Sequence, residues 1–163
     1  MRLSGFSVWI AGALILACST GTPAAQTAPK LRFAEDLKVT ARDAKKRSAV
    51  VMLVFTEASC PYCTRAKRDY LEPMQASRDY GGKVLMREVD VRRGDALRDF
   101  SGAATTQAAF AKRYSVRVVP TVIVVDYAGK ALAEPLVGLL TEDFYALYLE
   151  RAVDAGRNRL RDL

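Results

Sequence analysis

The stretch from Ala49 to Lys67 reads AVVMLVFTEASCPYCTRAK. Its apolar run, Val50–Phe55, is typical of a buried strand because every position is hydrophobic. We expect the chain to turn over Thr56–Ser59 and to enter a helix at Cys60-Pro61-Tyr62-Cys63. The two cysteines of this CXXC sequence are therefore predicted to lie at a helix N-terminus, directly after the end of a strand.

This placement favours redox chemistry. The unpaired N–H groups and the positive end of the helix dipole stabilise an anion at a helix N-terminus. A cysteine thiol there has its pKa lowered from about 8.5 to between about 3.5 and 7.5. A purely structural disulfide is disfavoured, because a bridge that closes so small a loop constrains little of the unfolded chain. The sequence thus predicts a dithiol–disulfide exchange centre in which Cys60 attacks and Cys63 resolves.

The composition fits one folded domain. Of the 163 residues, 50% are hydrophobic, which is enough for one core. There is no histidine, which excludes Ser-His-Asp and Cys-His hydrolases and metal sites that need imidazole. The net charge of +7 comes from scattered basic residues without interleaved aromatics, so a solvated surface is favoured over a nucleic-acid site. The basic balance still favours acidic partners or an anionic membrane surface.

The first 25 residues resemble an export signal. Phe6–Ala17 is an apolar stretch that is too short for a typical spanning helix and follows the early charge of Arg2. Two ways of processing this signal are open. Ile15–Cys18 resembles the lipobox of bacterial lipoproteins, which would leave Cys18 lipidated. Thr22-Pro23-Ala24 instead predicts cleavage near Ala24 or Ala25. Export would move the CXXC pair into an oxidising compartment. Residues 26–33 are predicted to be a linker.

The remaining segments alternate between helical and extended patterns. The predicted elements are helices over Glu35–Arg47 and Thr106–Tyr114, a strand over Lys83–Val91, a β-branched strand over Thr121–Val125, an antiparallel edge strand over Lys130–Val137 and a last helix from Thr141 that ends at Gly156. Pro73 predicts a kink or a break in the CXXC helix. Arg92–Thr105 shows no clear period, and a short helix is expected over Asp95–Phe100. The resulting order, α, β, α, β, α, β, β, α, indicates an α/β fold with a hairpin at its end.

These motifs together resemble the thioredoxin superfamily. The Cys60–Cys63 sequence follows a strand, and Val119-Pro120-Thr121 opens another strand before a hairpin and a final helix. The resemblance covers about Glu35–Ala155. It implies a thioredoxin fold, with a central mixed sheet of about four strands flanked by helices, over residues 34–156. The basic residues 157–163 would then form a loose tail.

The resemblance implies a role for each motif. Cys60 would be the exposed nucleophile that forms a mixed disulfide with a substrate protein, and Cys63 the buried thiol that displaces the substrate. Pro61 and Tyr62 would tune the redox balance by changing how well the helix stabilises the thiolate.

The second motif would bind the substrate backbone. Val119, Pro120 and Thr121 would form the groove beside the CXXC sequence, with Pro120 after a cis peptide bond, which only about 5–6% of X–Pro bonds adopt in folded proteins. The segment 92–105 is longer than a minimal member of the superfamily needs. Selection of partners and an inert surface loop are both open for it.

The chain also departs from the superfamily pattern. Thioredoxins commonly carry a buried Asp six residues before the first cysteine, as proton acceptor for the resolving thiol, and here that position is Val54. Glu57 is a candidate substitute that would also tune the redox balance, and a solvated loop carboxylate is the alternative. Ser59 stands where thioredoxins have Trp. The sequence around these positions is most similar to exported, periplasmic thioredoxin-like reductases associated with sulfur oxidation.

Several functions remain open on the sequence alone. A protein-disulfide reductase needs no cofactor or metal, acts on protein thiols and disulfides, and would draw electrons from a membrane donor such as a thiol–disulfide transporter. A glutaredoxin often carries CPYC, but the Gly-Gly-x-Asp that would hold glutathione is missing, since Leu139 follows Gly138. A disulfide isomerase or oxidase would need a dimerisation domain or a large helical insert, and neither is visible. A Cu(I)- or zinc-binding module is the alternative outside enzymes.

Overall fold

The computed structural model describes residues 29–139 and 141–163. Its centre is a four-stranded mixed sheet. Strand β1 (Val50–Thr56) is buried along its whole length because it has a strand on each side and helices on both faces. It pairs in parallel with β2 (Val84–Asp90) and antiparallel with β5 (Thr121–Val125). The last strand, β6 (Leu136–Val137), pairs antiparallel with β5. This is the expected α/β thioredoxin fold.

Alternate residues of β1 contribute their side chains to two separate hydrophobic cores, one on each face of the sheet. Val50, Met52 and Val54 face one side of the sheet, where they pack with residues of the CXXC helix and of the last helix. Val51, Leu53 and Phe55 face the other side, where they pack with helices α1 (Leu37–Lys46) and α4 (Gln107–Arg113). Strand β1 therefore has no polar face, which explains why its sequence is hydrophobic at consecutive positions.

The helix that begins with the CXXC sequence is continuous but not regular. It runs from α2 (Pro61–Ala66) through a π-helical turn (Lys67–Leu71) into α3 (Glu72–Ala76). The wide turn immediately precedes Pro73, which lacks an N–H and crowds the carbonyl of the preceding turn. Within that turn the N–H of Glu72 bonds to the carbonyl of Lys67, five residues back. The irregularity expected from Pro73 is thus a widened turn.

The segment from Arg92 to Thr105 is partly ordered as a hairpin. Strand β3 (Ala96–Arg98) pairs antiparallel with β4 (Ala104–Thr106). The short helix expected over Asp95–Phe100 is therefore wrong: Leu97 is buried while both its neighbours are exposed, which is the alternation of a strand. Asp99 accepts hydrogen bonds from Ser101 and from the backbone of Ala103, and these bonds close the loop between the two strands.

The region after β5 has less strand than expected. Of the predicted strand Lys130–Val137, only Ala131, as an isolated bridge to Val125, and the two residues of β6 pair with β5. Pro135 directly precedes β6 and has no N–H to donate to a sheet.

The last helix, α5 (Glu142–Arg161), is longer than expected. Gly156 does not end it but lies buried inside it. A Cβ on Gly156 would come within 2.6 Å of Val124 Cγ1, so its missing side chain lets the helix approach the sheet closely. The helix consequently continues through most of residues 157–163, the predicted loose tail.

The domain also begins earlier than its predicted boundary. Within the predicted linker 26–33, Leu31 is buried, and Phe33 forms a parallel bridge with Glu88 of β2. The predicted signal segment 1–25, including Cys18, lies outside the described residues. Among the residues that are described, none belongs to a helix long and apolar enough to cross a membrane.

Candidate active site

The end of β1 and the start of α2 position the two cysteines. After Thr56 the chain turns, and the N–H of Cys60 bonds to the carbonyl of Glu57 at 3.2 Å. Cys60 is the N-cap residue of α2 in an extended conformation, and Pro61 follows as the first helical residue. Proline suits this place because its fixed φ is helical and its missing N–H is not needed there.

Cys60 and Cys63 form a disulfide, with their Cα atoms 5.2 Å apart. The backbone N–H of Cys63 also points at Cys60 Sγ, at 3.0 Å. The two residues differ in access: Cys63 is 1% exposed, whereas Cys60 is only partly buried. A reagent from solvent therefore meets Cys60 first, and the helix N-terminus directs an N–H group at the sulfur of this same residue.

The strand start at Pro120 lies beside Cys60. The Val119–Pro120 peptide bond is cis. The carbonyl oxygen of Val119 lies 3.9 Å from Cys60 Sγ. Pro120 is buried, and its own carbonyl accepts a hydrogen bond from Gly138 N–H at 2.7 Å, while Thr121 Oγ1 donates to the carbonyl of Val118 at 2.7 Å. The structure thus brings the predicted groove residues Val119–Thr121 together with the CXXC sequence.

Two exposed apolar side chains flank this arrangement. Tyr62, inside the CXXC sequence, is 60% exposed, and Val118, just before the cis bond, is 50% exposed. Both belong to the segments that meet at Cys60 Sγ. Tyr62 and Val118 therefore present exposed apolar side chains in the two segments that meet at the disulfide, which suits contact with a protein substrate.

Glu57 lies in the turn before Cys60 and is held by surface contacts. Its carboxylate accepts a hydrogen bond from Ser59 Oγ at 3.3 Å and pairs with Arg92 at 2.7 Å. The contacts of Glu57 are therefore those of a surface loop.

A buried polar cluster next to the CXXC helix was not anticipated from the sequence. Glu88 of β2 is 3% exposed, and its Oε1 accepts bonds from Lys67 Nζ at 2.6 Å and Thr56 Oγ1 at 2.7 Å. Two signals were available: an acidic residue in the apolar face of a strand, and a Lys four positions after Cys63. The pairing itself depends on how the strands align in space.

The described residues hold no candidate metal centre. No group of three or more His, Cys, Asp or Glu side chains is placed to hold an ion within residues 29–139 and 141–163.

The family comparison identifies the domain. The model of the thioredoxin-like domain matches residues 37–152 of this chain. Among curated protein sequences, none matches significantly.

Solved structures resemble the fold as well. A thioredoxin-fold protein from Helicobacter pylori is 24% identical, with 68% of this chain and 73% of that chain covered and a TM-score of 0.54. A DsbH oxidoreductase is 19% identical, with 85% and 92% covered and a TM-score of 0.55. The reduced periplasmic thioredoxin SoxS from Paracoccus pantotrophus is 18% identical, with 65% and 97% covered, at a TM-score of 0.46. At these identities the likeness to the first two structures shows the fold alone.

Proposed function

The chain belongs to the thioredoxin-like domain family, and on that premise we propose that it is an exported protein-disulfide reductase acting through Cys60 and Cys63. The fold and the CXXC disulfide support thiol–disulfide oxidoreductase activity in general. The single observation that carries the narrower proposal is the unequal access of the two sulfurs: Cys60 is partly exposed, whereas Cys63 is 1% exposed.

The first step is an attack by the reduced protein. The Cys60 thiolate attacks one sulfur of a substrate disulfide, the substrate S–S bond breaks, and the other substrate sulfur leaves as a thiolate. The N–H of Cys63, which lies 3.0 Å from Cys60 Sγ, favours the attacking thiolate. Pro61 and Tyr62 tune this step through the shape of the first helical turn.

The second step closes the internal disulfide. The Cys63 thiolate attacks Cys60 Sγ, the mixed disulfide breaks, and the second substrate sulfur leaves as a thiolate. Two electrons have then passed from the dithiol to the substrate. The short Cα–Cα distance of 5.2 Å favours this step, because the resolving sulfur is held within bonding reach.

The strand start beside Cys60 orients the substrate. We assign Val119, Pro120 and Thr121 to a groove in which an extended substrate backbone lies next to Cys60 Sγ. The carbonyl of Val119 lies 3.9 Å from that sulfur, and we expect it to accept an N–H from the substrate. Val118 and Tyr62 supply apolar contact on the two sides.

Reduction of insulin tests this function. We expect Cys60→Ser to abolish the reaction, since no attacking thiolate remains. Cys63→Ser is expected to accumulate mixed disulfides that are visible on a non-reducing gel, because nothing resolves them. The double variant Cys60→Ser/Cys63→Ser is the matched control and should trap nothing. Full activity in Cys60→Ser would contradict the mechanism.

The direction of electron flow is tested by the reduction potential. A potential near about −270 mV suits a thioredoxin-like reductant, whereas about −120 mV is that of a strong oxidant. We expect a reduction potential of about −270 mV. An exported reductase also needs electrons from across the membrane, so we propose a membrane thiol–disulfide transporter as the donor and protein disulfides as the substrates. Partners trapped by Cys63→Ser in the exported compartment would identify them.

Export is proposed from the N-terminal sequence. Cell fractionation of the full chain in a bacterial host tests it, and retention in the cytoplasm would contradict it. Cys18→Ser distinguishes lipidation from cleavage near Ala24 or Ala25. If Cys18 is lipidated, the variant should lose membrane retention. If cleavage occurs near Ala24 or Ala25, the variant should behave as the wild type.

A further inference from the structure

A basic cavity lies at the end of the sheet opposite the CXXC sequence. Its volume is about 350 Å³, and it is bounded by the segment Pro29–Arg32, the last turn of α1 and the start of β2. Val84, which lines it, is the register partner of Val50 at the start of β1, whereas the CXXC sequence follows the other end of that strand. A strand of seven residues spans about 20 Å, so the cavity is well separated from the disulfide.

The wall of this cavity carries an excess of positive charge. Asp43 is the one carboxylate among the described residues that line it. Four basic side chains line it as well: Lys30, Arg32, Arg47 and Arg87.

The backbone holds two of these arginines side by side. Phe33 forms a parallel bridge with Glu88 of β2. The N–H of Glu88 bonds to the carbonyl of Arg32, and the N–H of Ala34 bonds to the carbonyl of Glu88, both at 2.8 Å. Arg32 is therefore the neighbour of Arg87 in this register, and both side chains line the same cavity. Like charges in opposing positions on neighbouring strands destabilise a sheet, so this arrangement is unfavourable on its own.

Arg87 is the half-buried member of the group. Its Nη1 donates a hydrogen bond to a backbone carbonyl of its own strand at 2.7 Å. Burial lowers the pKa of Arg87, and the positive charges of Arg32 and Arg47 lower it further. The carboxylates of Asp43 and Glu35 act against this shift without reversing it.

No carboxylate of the protein neutralises this group directly. Within residues 29–139 and 141–163, none of the four basic side chains of the cavity forms a salt bridge. Asp43 is instead 3.9 Å from Lys46, which lies outside the cavity lining. A half-buried cation is costly unless an anion approaches it, and here the protein brings several cations to one place.

We propose that this cavity binds an oxyanion of the phosphate type, through the guanidinium groups of Arg32, Arg47 and Arg87. A guanidinium presents parallel N–H groups that match two oxygens of one phosphate, which is why arginine is common where phosphate is recognised. The bound anion would also remove the repulsion between the neighbouring arginines. This site goes beyond the proposed reductase function, since no step of thiol–disulfide exchange involves it.

Two sources supply the same chemistry. One is free inorganic phosphate, and the other is the head group of an anionic membrane lipid. Pro29 and Lys30, which line the cavity, follow the predicted signal segment and its Cys18 in the chain. A lipid head group held here would leave the CXXC sequence at the far end of the sheet, where it stays accessible to substrates.

Calorimetric titration with inorganic phosphate tests the site, on the full chain as a bacterial host processes it and at constant ionic strength. We expect Arg32→Gln/Arg47→Gln to weaken phosphate binding about tenfold or more, because charge-assisted hydrogen bonds are lost. Both side chains are exposed, so the variant should fold, and unchanged reduction of insulin checks this. Arg87→Lys keeps the charge but loses the paired N–H groups, so it should weaken binding as well.

A charge-matched variant separates a site from the general positive field. Arg151→Gln/Arg159→Gln removes the same charge from exposed positions of α5 outside the cavity and should bind phosphate as the wild type does. Equal weakening in the two double variants would overturn the proposal. Wild-type affinity in Arg32→Gln/Arg47→Gln or in Arg87→Lys would overturn it too.

Sedimentation with lipid vesicles identifies the source of the anion. Phosphatidylglycerol vesicles present an anionic head group, and phosphatidylcholine vesicles control for any lipid anchor on the chain. If the ligand is a lipid head group, the wild type should prefer phosphatidylglycerol, and Arg32→Gln/Arg47→Gln should lose that preference while Arg151→Gln/Arg159→Gln keeps it. Binding of inorganic phosphate without such a preference assigns the site to free phosphate. If the wild type binds neither phosphate nor anionic vesicles, the proposal fails, and the reductase function is unaffected.

Discussion

The partly buried Tyr114 and the buried Tyr145 differ in what their hydroxyl groups contact. Tyr114 donates a hydrogen bond to the carbonyl of Gly129 at 2.7 Å. Tyr145 is 3% exposed, and its hydroxyl has no hydrogen-bond partner among the described residues. Burial raises the pKa of each phenol to about 12, so both stay neutral at physiological pH. The two hydroxyls are equally protonated, but only that of Tyr114 is satisfied.

This difference predicts that removal of the hydroxyl group changes the free energy of unfolding differently at the two tyrosines. Tyr145→Phe removes an unsatisfied buried group and is expected to leave the free energy of unfolding unchanged or to raise it by up to about 1 kcal/mol. Tyr114→Phe leaves the Gly129 carbonyl without its donor and is expected to lower it by about 1 kcal/mol. Urea unfolding of both variants beside the wild type measures the pair. A loss in Tyr145→Phe as large as that in Tyr114→Phe would contradict the prediction.

At the scale of single residues, the sequence predicts what lies within a local motif. The CXXC pair Cys60 and Cys63 and the Val119-Pro120-Thr121 sequence, the proposed groove, are each identified by a few adjacent positions whose chemistry is recognisable in isolation. Glu88 is different, because its partners come from separate elements and meet only through the register of β1 and β2. The sequence places Val84, Met86 and Glu88 on one side of a strand, but it does not say which helix covers that side.

Helix α5 passes over the sheet at Gly156. Glycine inside a helix costs about 0.5–1 kcal/mol relative to alanine, which is why the sequence predicts an end there. The cost is offset by close packing: a Cβ at this position would lie 2.6 Å from Val124 Cγ1 and 3.6 Å from Leu132 Cβ. The close approach of α5 to Val124 and Leu132 therefore requires glycine at position 156.

The packing predicts an inverted effect of alanine at this position. Gly156→Ala should lower the free energy of unfolding by about 1–3 kcal/mol through overpacking, although propensity alone would raise it. Ala155→Gly, at the exposed neighbouring position, is the matched control and should cost about 1 kcal/mol from propensity alone. Both are measured by urea unfolding. Stabilisation by Gly156→Ala would show that the helix does not approach the sheet this closely.

Elements are predictable where one pattern is long enough to define them. The hydrophobic runs of β1 and β5 and the amphipathic pattern of α1 identify these elements correctly. The sequence pattern does not predict β3 and β4, because each strand has three residues and only Leu97 shows the alternation of buried and exposed positions. Such short strands are stabilised by their partner and by the loop contacts of Asp99, and the sequence of either strand alone reveals neither.

Charge is a property of the whole molecule. The chain carries a net charge of +7, and its first 28 residues contain Arg2 as their one charged side chain, so the remainder has a net charge of +6. Several basic residues near the CXXC sequence are paired, such as Arg65 with Glu142 and Arg92 with Glu57. Any attraction of an acidic partner must therefore come mainly from the summed field and not from one contact.

Such a positive field predicts that acidic substrates are preferred over basic ones, and that added salt abolishes this preference. We compare two peptides with the same disulfide, one flanked by Glu and one by Lys. The acidic peptide is expected to be reduced about tenfold faster at low ionic strength, because the positive field raises the rate of encounter. The Debye length falls from about 30 Å at 0.01 M salt to about 3 Å at 1 M, so the difference should almost disappear at high salt. A peptide flanked by Ser is the neutral control and should change little with salt. Equal rates for the acidic and basic peptides at low salt would show that the net charge of the molecule has no part in selecting its partners.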